Sequence, residues 1–347
     1  MAALDPDVAV IRRAVRHAVL GSATGVLVAC SGGADSMALA AAAAFVRRRS
    51  GRPVGLVTVD HQLQPGSAER AHRVAEWGRS VGLAPALVST VDTTDRTGGP
   101  EAAARDARYE GLVAAATEHG RDTVLLGHTR DDQAETVLLA LVRGAGPRGL
   151  AGMPVRRVRD GIALVRPLLE VGRDQTRAAC VALDLPVWDD PHNDDPAFRR
   201  THARRLLESL AASLGPAVVG NLARTAHLVA VDNAALDEWA VDVLVKVDTD
   251  AGLPVAELLV LPAAVRGRVL HAWARRLPVS GSALSYRHVA ALEALVTAWR
   301  GQGPVWLPGS VAVVRREGRL VAVDPVQPIG GTGSVGHADR ATGPGGP

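Results

Sequence analysis

The stretch VLVACSGGADSMALAAAAAFVRRR, residues 26–49, joins a short β-branched run to a long alanine-rich one through six residues, Ser31 to Ser36. The first part reads as a buried strand and the last as a helix. Their junction exposes the unpaired amides of a helix N-terminus, and Gly32 and Gly33 remove the side chains that would block an approaching phosphate. Ser31 and Ser36 add hydroxyl donors, with Ala34 between them. Asp35 would repel bare phosphate, which points to a bridging Mg²⁺ or to a role in orienting the loop. Without a ligand, the same residues make a strand-to-helix turn with Ser36 as the cap. A GxxxxGK[ST] loop uses its lysine to reach the β and γ phosphates of a nucleotide whose terminal phosphate moves. No lysine stands here, and Lys246 is the only one in the chain. A cradle of amides and hydroxyls suits an enzyme that retains pyrophosphate as a leaving group while an acceptor attacks the α phosphate, which is adenylation.

Outward from this junction the pattern repeats. VGLVTVD (54–60), ALVST (86–90) and TVLLGH (123–128) read as buried strands, separated by stretches with helical apolar spacing. Alternating strand and helix predicts an α/β fold, a parallel sheet with helices on both faces and its ligand at the carboxyl ends of the strands. After residue 215 the pattern turns mainly helical, with two short strand candidates, GPVWLP and VAVVRREGRLVAV, near the end. The expected domains are 1–215, then a smaller, mainly helical one at 216–326. Residues 327–347, almost without apolar content, are expected to be a disordered tail.

Composition narrows the class. A chain of 347 residues that is 47% hydrophobic can bury two cores. The longest apolar run, Met37 to Val46, falls short of the roughly 18 residues a membrane span needs. Acids and arginines at the N-terminus replace the apolar core of a secretory signal, so a cytoplasmic protein is expected, with no membrane partner. Cys30 and Cys180 form no CxxC pair and read as small apolar core residues. Net charge is only +3, but arginines cluster at 12–16, 156–159 and 199–205, where a guanidinium fork can meet phosphate oxygens.

SGGADS resembles the signature of the PP-loop, or N-type, ATP pyrophosphatases, a Rossmann-like adenine nucleotide alpha hydrolase fold. VDHQLQPGS (59–67), ARDARYEGL (104–112), LLGHTRDDQAETVLLALVRGAGPRGLAGM (125–153), RPLL (166–169) and DDPHNDDPAFRRTHARRLL (189–207) narrow the resemblance to the tRNA(Ile)-lysidine synthases. That resemblance implies a C–N bond-forming ligase using ATP and Mg²⁺. It would adenylate the wobble cytidine of the isoleucine tRNA with a CAU anticodon and join free L-lysine to C2, changing the codon read from AUG to AUA. Family members include monomers and dimers, which leaves a homodimer open.

The site residues follow motif by motif. Ser31, Gly32, Gly33, Ala34, Asp35 and Ser36 would bind the nucleotide, and Asp60 and His61 follow the second strand, where a base and ribose are met. Asp132 and Glu135 share one face at the start of a helix, where acids also favour the dipole; with Asp35 they would hold Mg²⁺ or the cationic groups of lysine. Asp35 and Asp132 are the expected metal ligands. His128, of ordinary pKa near ~6.5, would accept a proton. Arg105, Arg108 and Tyr109 on one helical face, and Arg200 and Arg204 one turn apart, would meet phosphate or tRNA. The chain departs from the family's usual residues at Thr129, Thr201 and Ala203. Trp239, Trp273, Trp299 and Trp306 are expected in the core. An adenylating ligase for a small carbonyl or carboxylate, and a non-catalytic nucleotide-binding module, are the alternatives.

Overall fold

Period-two alternation sets the first layer. In the computed structural model, which describes residues 5–62, 66–93, 99–189, 199–247, 249, 251–279 and 284–323, strand β1 (Val26–Ala29) turns Val26 and Val28 to one core and Leu27 to another. Both faces of such a strand must be apolar, which is why VLVA shows no polar residue. It lies at the centre of a six-stranded sheet of order β3-β2-β1-β4-β6-β5. β2 (Val54–Asp60), β3 (Ala86–Thr90), β4 (Thr123–Leu125) and β6 (Ile162–Val165) run parallel, as expected for the first four strands. The edge strand β5 (Arg156–Arg159) runs antiparallel to β6.

The hairpin of β5 and β6 was not among the expected strands, since RRVR read only as an arginine cluster. Its turn, Asp160-Gly161, has positive φ at both residues (48° and 81°), the pairing a two-residue hairpin demands. Arginines on the exposed edge also discourage further strand pairing.

Helices cover both faces. α1 (Pro6–Leu20), α2 (Ala34–Ser50), α3 (Ser67–Ser80) and α7 (Arg173–Ala182) enclose one core with Val26, Val28 and Leu56. α1 begins on an Asp5 cap, whose carboxylate accepts from the amides of Asp7 and Val8, and buries Val8, Ile11, Val15 and Val19. α4 (Pro100–Glu118) covers the other face, packing Tyr109, Leu112 and Ala116 against Leu27, Val57 and Val124. Fully buried side chains such as Leu27 and Leu112 each stabilise the fold by about 1.5–3 kcal/mol. α5 (Arg130–Val142) follows β4, then the short α6 (Pro147–Leu150). α8 (Arg199–Leu214) packs on α5.

The chain divides into two compact units, Met1–Asn233 and Ala234–Pro347. Gly215 and Pro216 separate α8 from the long α9 (Ala217–Lys246), and the seam between units falls inside α9. The second unit contains α10 (Val255–Leu259), α11 (Ala263–Ala274) and α12 (Tyr286–Thr297). Beside them lies an antiparallel sheet of order β7-β10-β9-β8, made of β7 (Leu253–Pro254), β8 (Val305–Leu307), β9 (Val311–Arg316) and β10 (Arg319–Val323). VAVVRREGRLVAV thus folds as a hairpin of two strands. Trp273 is core, but Trp239, Trp299 and Trp306 are 48%, 39% and 54% exposed, against the expectation that all four are buried. Trp306 alternates with the core-facing Val305 and Leu307, so it points to the sheet's other face. The expected tail at 327–347 lies outside the described residues. No single helix among those described is long and apolar enough to cross a membrane.

Candidate active site

The carboxyl ends of β1 and β4 lie side by side where the strand order reverses, β1 leading outward to β2 and β3 and β4 to β6. Open α/β sheets present their ligand crevice at such a point. At the end of β1, Gly33 is the N-cap of α2 and, among the described residues, no side chain caps it. The first-turn amides of Ala34, Asp35 and Ser36 thus keep their capacity to donate. Ser36 lies inside that turn rather than capping it. Its hydroxyl donates to the Gly33 carbonyl at 2.9 Å and accepts from the Ser31 amide at 3.2 Å, with the Ser31 hydroxyl 3.3 Å away. The cradle is closed by its own hydroxyls. From the β4 side, Gly127 comes so near that a Cβ there would stand 3.2 Å from Cα and N of Ser36.

Beyond Gly127, Thr129 starts α5, its amide and hydroxyl donating to Asp132 Oδ2 at 2.8 and 3.1 Å. This fixes the Asp132 side chain and leaves Oδ1 for another donor, which is Arg173 at 2.8 Å. The same guanidinium reaches Glu135 Oε1 at 3.2 Å and lies 3.8 Å from Asp35 Oδ2. Glu135 Oε1 also accepts from Arg204 Nε at 3.1 Å. Asp35 Oδ1 accepts the Thr176 hydroxyl, and Asp131 accepts the Arg173 amide at 2.9 Å. Three of the four expected catalytic residues, Asp35, Asp132 and Glu135, therefore converge on one guanidinium. Arg204, expected at phosphate or tRNA, pairs here with Glu135.

Burial shapes the protonation of this cluster. It pushes the Asp35 carboxyl up to about 6 against the Thr176 hydrogen bond, with Asp132 adding repulsion. Burial, the largest single effect, would also raise Asp132, but Arg173, the Thr129 amide, His128 and Arg200 together outweigh it and hold that carboxyl below its usual range. Buried carboxylates keep their charge only where such partners exist.

A second group is basic. In α4, Arg105 lies 5.4 Å and Arg108 5.7 Å from the Tyr109 ring, and Arg105 and Arg166 each approach the phenol oxygen at 3.5 Å. Arg166, from the RPLL stretch after β6, is 3% exposed and donates to the Pro154 carbonyl at 2.8 Å. Burial opposes ionisation of Tyr109, yet Arg105, Arg108 and Arg166 together hold its phenol below the ordinary value. Burial, reinforced by Arg105 and Arg200, depresses the Arg108 guanidinium. An anion placed among these cations would relieve their mutual repulsion.

His128 stands between the two groups. Burial lowers its pKa; Asp132 opposes that, and Arg108, Arg166 and Arg200 reinforce it. Its imidazole is neutral, and its buried Nδ1 has no hydrogen-bond partner among the described residues. Buried His61 Nδ1, after β2, is likewise without one, and burial, then Arg108, lowers the pKa of its ring against Asp60. Asp60 accepts the Gln62 amide at 2.9 Å and shapes the turn there.

Arg166, Arg173 and Thr176 were not read as site residues. Arg166 lies in RPLL, a stretch the resemblance had marked, whereas EVGRDQT carries no sequence signal for Arg173 or Thr176. Only the fold of α7 against the starts of α2 and α5 brings them in. Cys30 and Cys180 are free and buried, and burial, then Asp35, pushes the Cys180 thiol up to about 11, far from nucleophile range. Thr201 and Ala203 are buried in α8.

The parallel sheet, its reversal point and the lysine-free cradle define a PP-loop protein, and the chain matches the PP-loop domain over residues 8–210 and the TilS substrate binding domain over 253–321. It is 64% identical over 329 residues to the tRNA(Ile)-lysidine synthase of Salinispora tropica, covering 94% of this chain and 99% of that one. It is 53% identical over 298 residues to the Streptomyces coelicolor enzyme of the same name, covering 85% and 84%. The chain belongs to the tRNA(Ile)-lysidine synthase family of PP-loop, ATP-using ligases. Among solved structures, the U34-tRNA thiolase NcsA of Methanococcus maripaludis, with its [4Fe-4S] cluster, shares the fold. It has a TM-score of 0.53 and 17% identity, covering 64% of this chain and 80% of that one.

Proposed function

We propose that this chain makes lysidine at the wobble cytidine of the CAU-anticodon isoleucine tRNA in two steps. In the first, the cytidine C2 oxygen attacks the α phosphate of ATP. A P–O bond forms, the bridging α–β P–O bond breaks, and pyrophosphate leaves into the cradle of Ser31 to Ser36. In the second, the ε-amine of free L-lysine attacks C2, the C2–O bond breaks and AMP leaves. The first step is needed because an unactivated oxygen leaves poorly from carbon. The observation that carries this reading is the convergence of Asp35, Asp132 and Glu135 beside the cradle, with neutral His128 between them and the basic group.

Each group has work suited to its environment. A lysine ε-amine, with a free pKa near ~10.4, must lose a proton before it attacks. His128, expected as the acceptor for that proton, keeps a bare buried nitrogen, but burial and Arg108, Arg166 and Arg200 lower its pKa to about 3, which suits it to accept a hydrogen bond from the amine rather than to keep the proton. Arg105, Arg108, Arg166 and Arg200 offer their charge to phosphate, of the nucleotide or of the tRNA. Asp60 and His61, at the end of β2, lie on the base and ribose side.

Mg²⁺ fits the donors present. It takes one or two carboxylates and completes its shell with substrate phosphates and water, and Asp35 and Asp132 are such a pair. Among the described residues, no group of three or more Asp, Glu, His or Cys forms a cage by itself. The ion would neutralise charge on the departing pyrophosphate. ATP, tRNA and lysine meet in the cytoplasm, where this reading places the protein.

The test is incubation with ATP, Mg²⁺, labelled lysine and the CAU-anticodon isoleucine tRNA, with methionine tRNA as control. Label is expected in the isoleucine tRNA only. Equal label in both, or none in either, would overturn the reading. ATP–pyrophosphate exchange without RNA would instead favour a small-molecule acceptor.

A further inference from the structure

The arginines at 12–16 and 47–49 have no part in the site described above. Between Val8 and Ser50 the chain carries six of them, Arg12, Arg13, Arg16, Arg47, Arg48 and Arg49, against a single acid, Asp35, which belongs to the cluster around Arg173. α1 packs on α2, and this brings the two runs together. Arg12 lies 3.8 Å and Arg49 6.0 Å from the centre of the Phe45 ring. Burial, then the nearby Arg48, depresses the Arg12 guanidinium. Arg13, Arg16, Arg48 and Arg49 are exposed, and among the described residues no acid pairs with any of these five.

Arg12 distinguishes this cluster from a merely solvated face. A solvated arginine keeps its donors in water, whereas Arg12 Nε is buried without a hydrogen-bond partner among the described residues while its guanidinium is held over an aromatic ring. Like charges gathered in this way repel, and an anion placed over them relieves the repulsion. The form of the cluster favours a row of anions over a single one. Arg12 and Arg16 stand one turn apart on α1, and Arg48 and Arg49 close the last turn of α2, so the forks are spread along two helices rather than turned into one pocket. Each fork matches one phosphate, and a nucleic-acid backbone supplies phosphates at regular intervals. Arg48 is 14 residues along α2 from Ala34 at the cradle, or about 21 Å at 1.5 Å per residue. An RNA whose wobble base occupies the site therefore meets this surface with phosphates beyond that loop.

We propose that Arg12, Arg13, Arg16, Arg48 and Arg49 form a second RNA-contact surface, which holds the sugar–phosphate backbone of the substrate tRNA outside its anticodon loop. Such contacts set affinity and register without reading bases, and leave discrimination to other parts of the protein. This inference rests on the reading that a tRNA is the substrate.

The test uses the full chain with Arg16→Gln, Arg48→Gln and Arg49→Gln combined, three exposed positions away from the cradle. In filter binding at about 0.15 M salt, affinity for the CAU-anticodon isoleucine tRNA should fall about tenfold or more. The slope of log affinity against log salt should become shallower by about 2–3, one phosphate for each arginine. In the unaltered protein, ethylation of phosphates outside the anticodon loop should interfere with binding. In the variant that interference should disappear while interference within the loop persists. The turnover number for lysidine formation at saturating tRNA should stay within about twofold, so that the loss appears in KM. If the triple variant does not fold, Arg48→Glu alone should still weaken binding about fivefold. Unchanged affinity and salt slope, or interference altered only within the loop, would overturn this surface while leaving lysidine formation intact. Loss of binding to phosphatidylglycerol vesicles with tRNA affinity unchanged would assign the arginines to a membrane and overturn it too. An unaltered protein that makes no lysidine would overturn the underlying reading instead.

Discussion

Asp35 keeps its carboxyl in a place that resists charge, and this has consequences for pH. Its pKa rises from 3.8 to about 6, chiefly through burial. Between those values the folded chain retains a proton that the unfolded chain has released. The group therefore costs nothing below pH 3.8 and becomes destabilising as pH rises to about 6, by about 3 kcal/mol at most. In urea unfolding, Asp35→Asn should flatten this part of the stability–pH curve; an unchanged slope would mean another group is responsible. Activity should move in the opposite sense. If the ionised carboxylate binds the nucleotide complex, kcat/KM for ATP falls as pH drops through about 6. His128, already neutral throughout that range, adds no second limb there. At this scale the sequence showed Asp35, His128, Asp132 and Glu135 as candidates because each stands in a spaced motif at an element's end. It did not show that Arg173 and Thr176 join them, since neither has a motif of its own and their proximity depends on α7 packing against α2.

The junction of β4 with the cradle shows how closely elements must meet. Gly127 Cα lies against the first turn of α2, and a methyl group there would press on backbone atoms of Ser36, which cannot swing aside as a side chain can. Gly127→Ala should cost about 1–3 kcal/mol of stability, the range for overpacking, and weaken ATP binding about tenfold or more by displacing the amides of the cradle. Calorimetric titration with ATP beside a thermal melt would check both; unchanged ATP affinity would mean that the loop tolerates the shift. The parallel strands were legible because burial on both faces leaves continuous apolar runs. The β5–β6 hairpin was legible in principle from Asp160-Gly161 but was obscured by the arginines of its exposed strand. Trp239, Trp299 and Trp306 have helical or strand spacing, yet periodicity cannot say whether a neighbouring element covers the face on which they lie.

Arginine dominates the basic charge of the whole molecule, and its formal net charge is only +3. Binding of a tRNA through localised arginine groups therefore predicts a strong salt effect without general polycation behaviour. With six or more phosphate contacts, affinity should fall by about 10³-fold or more between 50 and 200 mM salt, measured by filter binding; an affinity insensitive to salt would argue against phosphate recognition. By itself, the sequence determined the α/β class, the phosphate cradle and the lysine-free chemistry that follows from it. Those properties are local: an apolar strand, two glycines, two hydroxyls and an acid lie together in one short stretch. Tertiary structure alone decided that one guanidinium holds three acids, that Arg204 serves Glu135, and that His128 lies between opposite charges. Each depends on distances between residues far apart in the chain, and those distances come from packing rather than from spacing.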